Sequence, residues 1–302
     1  MKRNKDVFSK AFSEFTFSDS KIKFLHQVLF GMLLDIKEVC EKNHITILLS
    51  GGTMLGAVRH QGFIPWDDDL DVMMFRSEYV KLREVFQKEL GEKYELVEPL
   101  QGNYTNKKPK IYLKNSIFSE VLYAGLPSEY RRVFIDVFLI ENVPASIFAR
   151  KIIGVIYDFA FHASGFIADY KYPSPIILEK AKSDHEVMQY YSFRRKIGKV
   201  LNVFFGMRFY IWICVHIDHC KRESGWVAVP SAISYNREVF KKEIFADLMD
   251  AEFNGELFKI PTDYDRYLKN LYHDYMKLPP EMDRLVHSVT EFKLLAEEDY
   301  YE

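Results

Sequence analysis

Between Lys21 and Asn43 the apolar residues Ile22, Leu25, Leu29, Met32, Leu33, Ile36 and Cys40 recur in steps of three and four, which gathers them on one face of a helix. Ser18, Asp19 and Ser20 supply candidate caps just ahead of it. Residues 45–49 are apolar and partly β-branched and are closed by Gly51-Gly52, which predicts a short buried strand, then a short helix near residues 53–59. The second half of the segment from Phe63 to Met74 alternates acid and apolar residues at the two-residue period of a strand, so Asp69 and Asp71 are expected on one face of it. Ser77 is the candidate cap of a helix running to about Leu90. Further strands are expected over residues 95–97, 110–113 and 117–123, and a longer one over 133–140, whose single acid is Asp136. The remainder reads as mainly helical, broken by Pro173, Pro175 and Pro230. Asn254-Gly255 predicts a tight hairpin turn, and a last helix over 263–276 ends before Pro279-Pro280. The expected architecture is mixed α/β: a sheet core over residues 1–145, with a helix-rich region over 146–302 packed on it and completing the site.

Composition narrows what such a fold does. The chain has 302 residues, 48% of them hydrophobic, enough for one large core or two small ones. A formal charge of −2 supplies no global basic field for nucleic acid, so an anionic substrate has to be held by local groups or by a metal. Three cysteines do not make a disulfide framework, which points to a reducing, cytoplasmic setting. Met1 to Lys10 is basic but is followed by the polar stretch Ser13 to Ser20, not by a signal-peptide core. The apolar stretches from Ile152 to Ala168 and from Val203 to Ile217 are interrupted by Asp158, His162 and Arg208, and fall short of the ~20 uninterrupted apolar residues of a spanning helix. They read as buried helices of a large core. The alternative is an interfacial helix with Lys196, Lys199 and Arg208 facing headgroups, a peripheral contact at the inner face of the cytoplasmic membrane.

Candidate chemistry centres on acids. Two carboxylates as close as Asp69 and Asp71 repel unless they share a cation or a proton. Mg²⁺ suits them, since it takes one or two carboxylates together with substrate phosphate oxygens. Asp136, alone in an apolar strand, is the natural third member. By itself an Asp run belongs in a solvated turn, and a lone buried acid is as readily satisfied by an arginine. Ser50-Gly51-Gly52-Thr53 stands between a strand and a helix start, where glycines admit a close ligand and N–H groups can face a phosphate. Strand, Gly-Gly, helix, Asp-x-Asp strand is the order of the nucleotidyltransferase superfamily. Cys214, His216, His219 and Cys220 have zinc-like spacing but share no helical face, so a structural reading is preferred. Trp66 and the abundant Phe and Tyr could build an aromatic cage for a quaternary ammonium, but core packing is the stronger reading and no particular cage is nominated.

The continuous run from Ser50 to Val72 (SGGTMLGAVRHQGFIPWDDDLDV) closely resembles the signature of the LicD family, which includes bacterial phosphocholine transferases and is related to the fukutin-related ribitol-phosphate transferases. Phe134-Ile135-Asp136-Val137-Phe138 with Pro144 resembles its second block, and Tyr264 to Leu268, Asp274 to Met276 and Leu278 to Glu281 its C-terminal block. The resemblance implies a nucleotidyltransferase-like fold and transfer of a phospho-alcohol from a CDP-linked donor, typically CDP-choline, onto a hydroxyl of a cell-surface glycan such as lipopolysaccharide, teichoic acid or capsule, with release of CMP. It further implies Mg²⁺ or Mn²⁺ on Asp69 and Asp71, with Asp136 as third ligand or as base toward the acceptor, either a free or a lipid-linked glycan. Donor contacts are expected from Gly51, Gly52, Thr53, Arg59, Asp67 and Lys110. Two departures stand out, His273 where the family commonly has Gly and Tyr112 where it often has Arg. Rival readings are a nucleotidyltransferase that uses an NTP and releases pyrophosphate, and a non-catalytic glycan-binding member.

Overall fold

The computed structural model describes residues 11–101, 106–217, 223–230, 234–280, 284 and 288–295. The predicted first helix is α1, Asp19–Lys42, and every residue of its apolar stripe is buried. β1 is only Leu48–Leu49, shorter than the strand expected over 45–49. Residues 44–46 instead turn the chain out of the helix: His44 takes a φ of 53°, Ile45 N donates to Cys40 O, and Thr46 N donates to a carboxylate oxygen of Glu78. Next come α2, Gly51–His60, β2, Asp71–Phe75, and α3, Arg76–Glu89. Asp69 therefore lies just ahead of the strand, not within it. Ser77 is no cap, because α3 has already started at Arg76.

β3, Tyr94–Val97, β4, Lys110–Leu113, β5, Ser116–Glu120, and β6, Phe134–Asn142, follow the expected positions closely. The second half then supplies α4, Ile147–Lys171, α5, Pro175–Lys180, α6, His185–Phe204, and α7, Met207–His216. It also holds more strand than its sequence announced. β7, Trp226–Ala228, pairs with the end of β6 and with β8, Val239–Lys241. β9, Leu248–Phe253, and β10, Glu256–Pro261, form the expected hairpin, with Asn254 and Gly255 at φ 52° and 85°. α8, Tyr264–Tyr272, and β11, Val289–Leu294, close the described chain.

Among the described residues the main sheet runs β3-β4-β6-β2-β1-β10-β9, and β5 pairs separately with β11. β2 and β6 are parallel, β4 is antiparallel to β6, and β10 lies parallel to β1. This last pairing carries α8 back to the start of α2. Leu25, Leu29, Met32, Leu33 and Ile36 of α1 share one core with Val72, Met73 and Met74 of β2, Ile135 and Val137 of β6, and Leu82 and Phe86 of α3. A second core joins α4, α7 and β7 through Tyr157, Ala160, Ala163, Ile167, Tyr210, Ile211 and Ala228.

The expectation that the two apolar stretches are buried core helices needs correction. α4 buries Gly154, Tyr157, Ala160, Ala163, Ser164 and Ile167 on one face but leaves large apolar residues outside on the other, with Phe148 72%, Val155 67% and Phe159 58% exposed. A helix buried all round in a core would cover both faces. By length and composition α4 is apolar enough to cross a membrane.

α8 ends earlier than the predicted residue 276, because His273 adopts φ 61° and ψ −110°, where a Cβ is strained. His273→Gly is expected to raise stability by about 1 kcal/mol, the relief of that strain less the greater freedom of glycine in the unfolded chain. A thermal melt checks it, and a lowered Tm would contradict it.

Candidate active site

The glycine turn is built against the acids. Ser50 N donates to Asp71 O at 3.1 Å, and Asp71 N donates to Thr53 Oγ1 at 2.8 Å, so Thr53 ties the first turn of α2 to the start of β2. Gly51 has φ 48°, and a Cβ there would stand 3.1 Å from Asp71 Oδ2; a Cβ on Gly52 would stand 2.8 Å from Asp67 Oδ2. The positive φ favours glycine at position 51, and a Cβ at either position would press on a carboxylate end. The Gly51 N–H does not face an open phosphate site, since it donates to the phenol oxygen of buried Tyr267 at 3.2 Å. Tyr267 also meets Ser50 Oγ at 3.2 Å.

Strand register assembles the next layer. Asp71 on β2 is paired with Asp136 on β6, which in turn is paired with Lys110 on β4. Neighbours in register point to the same side of a sheet, so the three side chains form one row. Asp136 is clasped by two ammonium groups, Lys108 Nζ 2.8 Å from Oδ2 and Lys110 Nζ 3.2 Å from Oδ1. Burial pushes the Asp136 carboxyl upward, but the two lysines outweigh burial and hold it below its ordinary value. Asp71 is driven well above its ordinary value by burial first and by Asp69 next. Asp67 behaves alike, through burial and then Asp69, whose side chain it also hydrogen-bonds. Asp67, Asp69 and Asp71 thus form a mutually repelling group beside an Asp136 already neutralised. Asp69 keeps its contact with Asp71 although it precedes the strand.

Asp69, Asp136, Lys108 and Lys110 border a cavity of about 300 Å³, while Asp71 and Asp67 lie outside its lining. Asp69, Lys107, Lys108, Lys110 and Asp136 line its polar side; Phe118, Tyr123, Phe134, Tyr157 and Phe161 line the other. Trp66 is not among its walls and instead carries the Arg284 guanidinium at 4.2 Å. Arg59 also stands apart. Its Nη1 donates to Tyr275 O at 2.6 Å and its Nε to His60 Nε2 at 2.9 Å, while burial lowers its pKa against the pull of Asp67. Arg59 therefore ties α2 to the segment after α8.

Sequence reasoning passed over several participants. Lys108 is the nearer partner of Asp136, and Lys107-Lys108-Pro109-Lys110, a basic cluster at the mouth of a strand, was the signal available for it. Tyr272 faces Asp71, Asp67 and Asp69 and is pushed well up, mainly by burial. His26 on α1 lies 2.6 Å from Asp67 O and stacks on Phe63 at 4.1 Å, pinning the acid segment from behind. No local pattern links Tyr267, Tyr272 or His26 to the acids. The zinc-like cluster does not assemble among the described residues: Cys214 is buried, whereas His216 is exposed and bonded to Trp212 O at 2.9 Å. His219 and Cys220 lie outside the described residues. Among the described residues no three His, Cys, Asp or Glu side chains stand as a ready-made metal cluster.

The LicD/FKTN/FKRP nucleotidyltransferase domain model matches residues 44–164, from the entry to β1 through most of α4. Lipopolysaccharide cholinephosphotransferase LicD of Haemophilus influenzae is 30% identical over 266 residues, 85% of this chain and 92% of that protein. The chain belongs to the LicD family. Two uncharacterized proteins, from Rickettsia prowazekii and Rickettsia typhi, are 42% identical over 57 residues and 40% identical over 65, about a fifth of each protein. In this LicD-family chain the domain match contains the glycine turn, the acids and the lysines, whereas Tyr267 and Tyr272 lie beyond it.

Lys107 gives the cavity a measurable signature. Its Nζ lies 3.9 Å from the centre of the Phe161 ring, and desolvation pushes its pKa down to about 8 from 10.5. Between those values the unfolded chain binds more protons than the folded one, so the penalty on the folded state is full below pH 8 and fades as pH rises toward 10.5. Lys107→Met is therefore expected to raise Tm at pH 7 by a few degrees and to lose most of that gain at pH 10. Melts at the two pH values check it; an equal difference at both would contradict the assignment.

Proposed function

We propose that this chain transfers a phospho-alcohol, phosphocholine first among them, from a CDP-linked donor to a hydroxyl of a surface glycan such as that of lipopolysaccharide, releasing CMP. The observation that carries the reading is the row Asp71, Asp136 and Lys110 on three adjacent strands, set against the glycine turn, with Asp136, Lys110 and the neighbouring Asp69 on the wall of the cavity. The similarity to a lipopolysaccharide cholinephosphotransferase over 85% of the chain supports the choice of transferred group and acceptor.

The donor set fits a hard divalent cation, Mg²⁺ or Mn²⁺. Burial and the neighbouring Asp69 drive the Asp67 and Asp71 carboxyls well up, even with Lys108 and Lys110 pulling Asp71 down, and two carboxylates with donor phosphate oxygens are the ligands magnesium favours. Asp69 and Asp71 would hold the ion, which when bound neutralises charge on the diphosphate and the departing phosphate. Lys108 and Lys110 would take the remaining phosphate oxygens, exchanging one anionic partner for another without leaving the cavity. Drawing those lysines from Asp136 removes the charges that hold its pKa down, so Asp136 becomes a better base at the point of use. The acceptor oxygen then bonds to the phosphorus that bears the alcohol, the bond from that phosphorus to the bridging oxygen breaks, CMP departs with the bridging oxygen, and the hydroxyl proton passes to Asp136. The aromatic walls keep bulk water from competing for the phosphorus.

Incubation of the purified chain with CDP-choline, Mg²⁺ and a lipopolysaccharide acceptor is expected to release CMP and label the acceptor. Asp71→Asn and Asp136→Asn should each lower turnover on the order of 10³-fold while keeping the wild-type circular dichroism spectrum. Near-normal turnover in either variant would sink the assignment. Pyrophosphate release from CTP, with no CMP from any CDP-alcohol, would move the chemistry to nucleotidyl transfer.

A further inference from the structure

α4 has two faces with different tasks. Its inner face places Tyr157 and Phe161 in the cavity wall. Its outer face presents Phe148, Ile152, Val155 and Phe159, all exposed. The stripe does not end with the helix. The Phe159 ring lies 6.1 Å from Tyr210 on α7, Tyr210 lies 5.5 Å from Phe209, and Phe209 stacks on Phe205 at 4.4 Å. α6 and α7 meet at an angle of 82°, and the corner projects Val203, Phe204 and Phe205, 76%, 72% and 51% exposed; Trp212, further along α7, is also exposed, at 51%. One apolar and aromatic surface therefore runs from α4 across α7 to the bend.

Charge around the α6–α7 corner is basic, and the exposed acid of α6, Glu186, stands at the opposite, N-terminal end of that helix. From Val187 to His216 the chain contains Arg194, Arg195, Lys196, Lys199 and Arg208 and no Asp or Glu. Lys196, Lys199 and Arg208 are exposed, as is Lys151 on α4. The two acids of α4 are turned inward: Asp158 accepts from Tyr235 N at 3.0 Å, and Asp169 accepts from Arg194 Nε at 2.6 Å. Exposed aromatic side chains fringed by lysine and arginine, with acids withdrawn, match a bilayer interface carrying anionic lipid. A second copy of the same face would set like charges against each other, which argues against self-association.

We infer that the outer face of α4, α6 and α7 docks the protein on an anionic bilayer surface, with the α6–α7 corner entering the headgroup region. Docking there puts the cavity one helix, ~10 Å, from the lipid headgroups, within reach of a glycan carried on a lipid. The inference stands on these surface residues and does not need the transfer reaction.

The test uses the full chain without donor or acceptor. It is mixed with vesicles of phosphatidylcholine alone or with roughly a third phosphatidylglycerol, and bound protein is separated by flotation. Binding is expected on the anionic vesicles, weaker at high salt, with a blue shift of Trp212 fluorescence that Trp212→Phe removes. Each basic side chain near such a surface is worth roughly fivefold in affinity, so Lys196→Glu with Lys199→Glu should weaken binding at least about tenfold. Phe204→Ser should weaken it without altering the circular dichroism spectrum. Absence of binding to anionic vesicles at low salt would overturn the inference. So would binding indifferent to these variants, or a concentration-dependent dimer that shields Trp212 in the absence of lipid.

Discussion

The buried charges of this protein are stable only as a set, and strand register is what makes them one. β2 and β6 run parallel with Asp71 beside Asp136, and β4 brings Lys110 to the other side of Asp136. Any one of these charges, moved alone from water into this interior, would cost several kcal/mol. Lys108 and Lys110 ion-pair with Asp136 and hold it down, but at Asp71 their pull is outweighed, and the Asp67 and Asp71 carboxyls are both pushed upward by burial and then by Asp69. The surroundings are shaped by this imbalance. Gly51 and Gly52 let the turn pass close to the carboxylates, Thr53 and Tyr267 fix the turn, and His26 bonds to the Asp67 carbonyl of the acid segment. A natural protein retains such repulsion where a function uses it, and the proposed transfer supplies the use: a cation for the aspartates and phosphates for the lysines.

Much of the site was legible because local spacing encodes it. Gly51-Gly52 lies between a strand and a helix, Asp71 heads an apolar strand, and Asp136 interrupts another; each feature needs only a few neighbouring residues to be read. The stripe of α1 and the Asn254-Gly255 turn were equally local. Asp69 was misplaced by two residues, since acid-apolar alternation continues through an extended segment whether or not a neighbouring strand pairs with it. β10 beside β1 was invisible in advance, because a parallel pairing between segments some two hundred residues apart leaves no periodic trace. Tyr267 and Tyr272 arrive at the acids only through that pairing, so they were missed together. Lys108 was missed although the charges at 107, 108 and 110 were in plain view, for want of a reason to separate a cavity lysine from a solvated one.

The helical half shows a different limit. Apolar composition said that α4 and the α6–α7 pair each have something to cover them, but not what. The exposure of the side chains answers part of this, with one face of α4 packed against the protein and large apolar residues of the other face left outside. One helix thus walls the cavity and carries the outer surface, which joins the chemistry of the site to whatever surface presents its acceptor.

The central claim is that the acid group and the lysine pair are two halves of a binding site for a cation-bound diphosphate. Calorimetric titration with CDP-choline, in Mg²⁺ and in chelator, for the wild type and for Lys110→Met, examines it most directly. Binding should require the cation and should weaken by about tenfold or more when the Lys110 ammonium is removed. Equal affinity with and without Mg²⁺, unchanged in Lys110→Met, would contradict it.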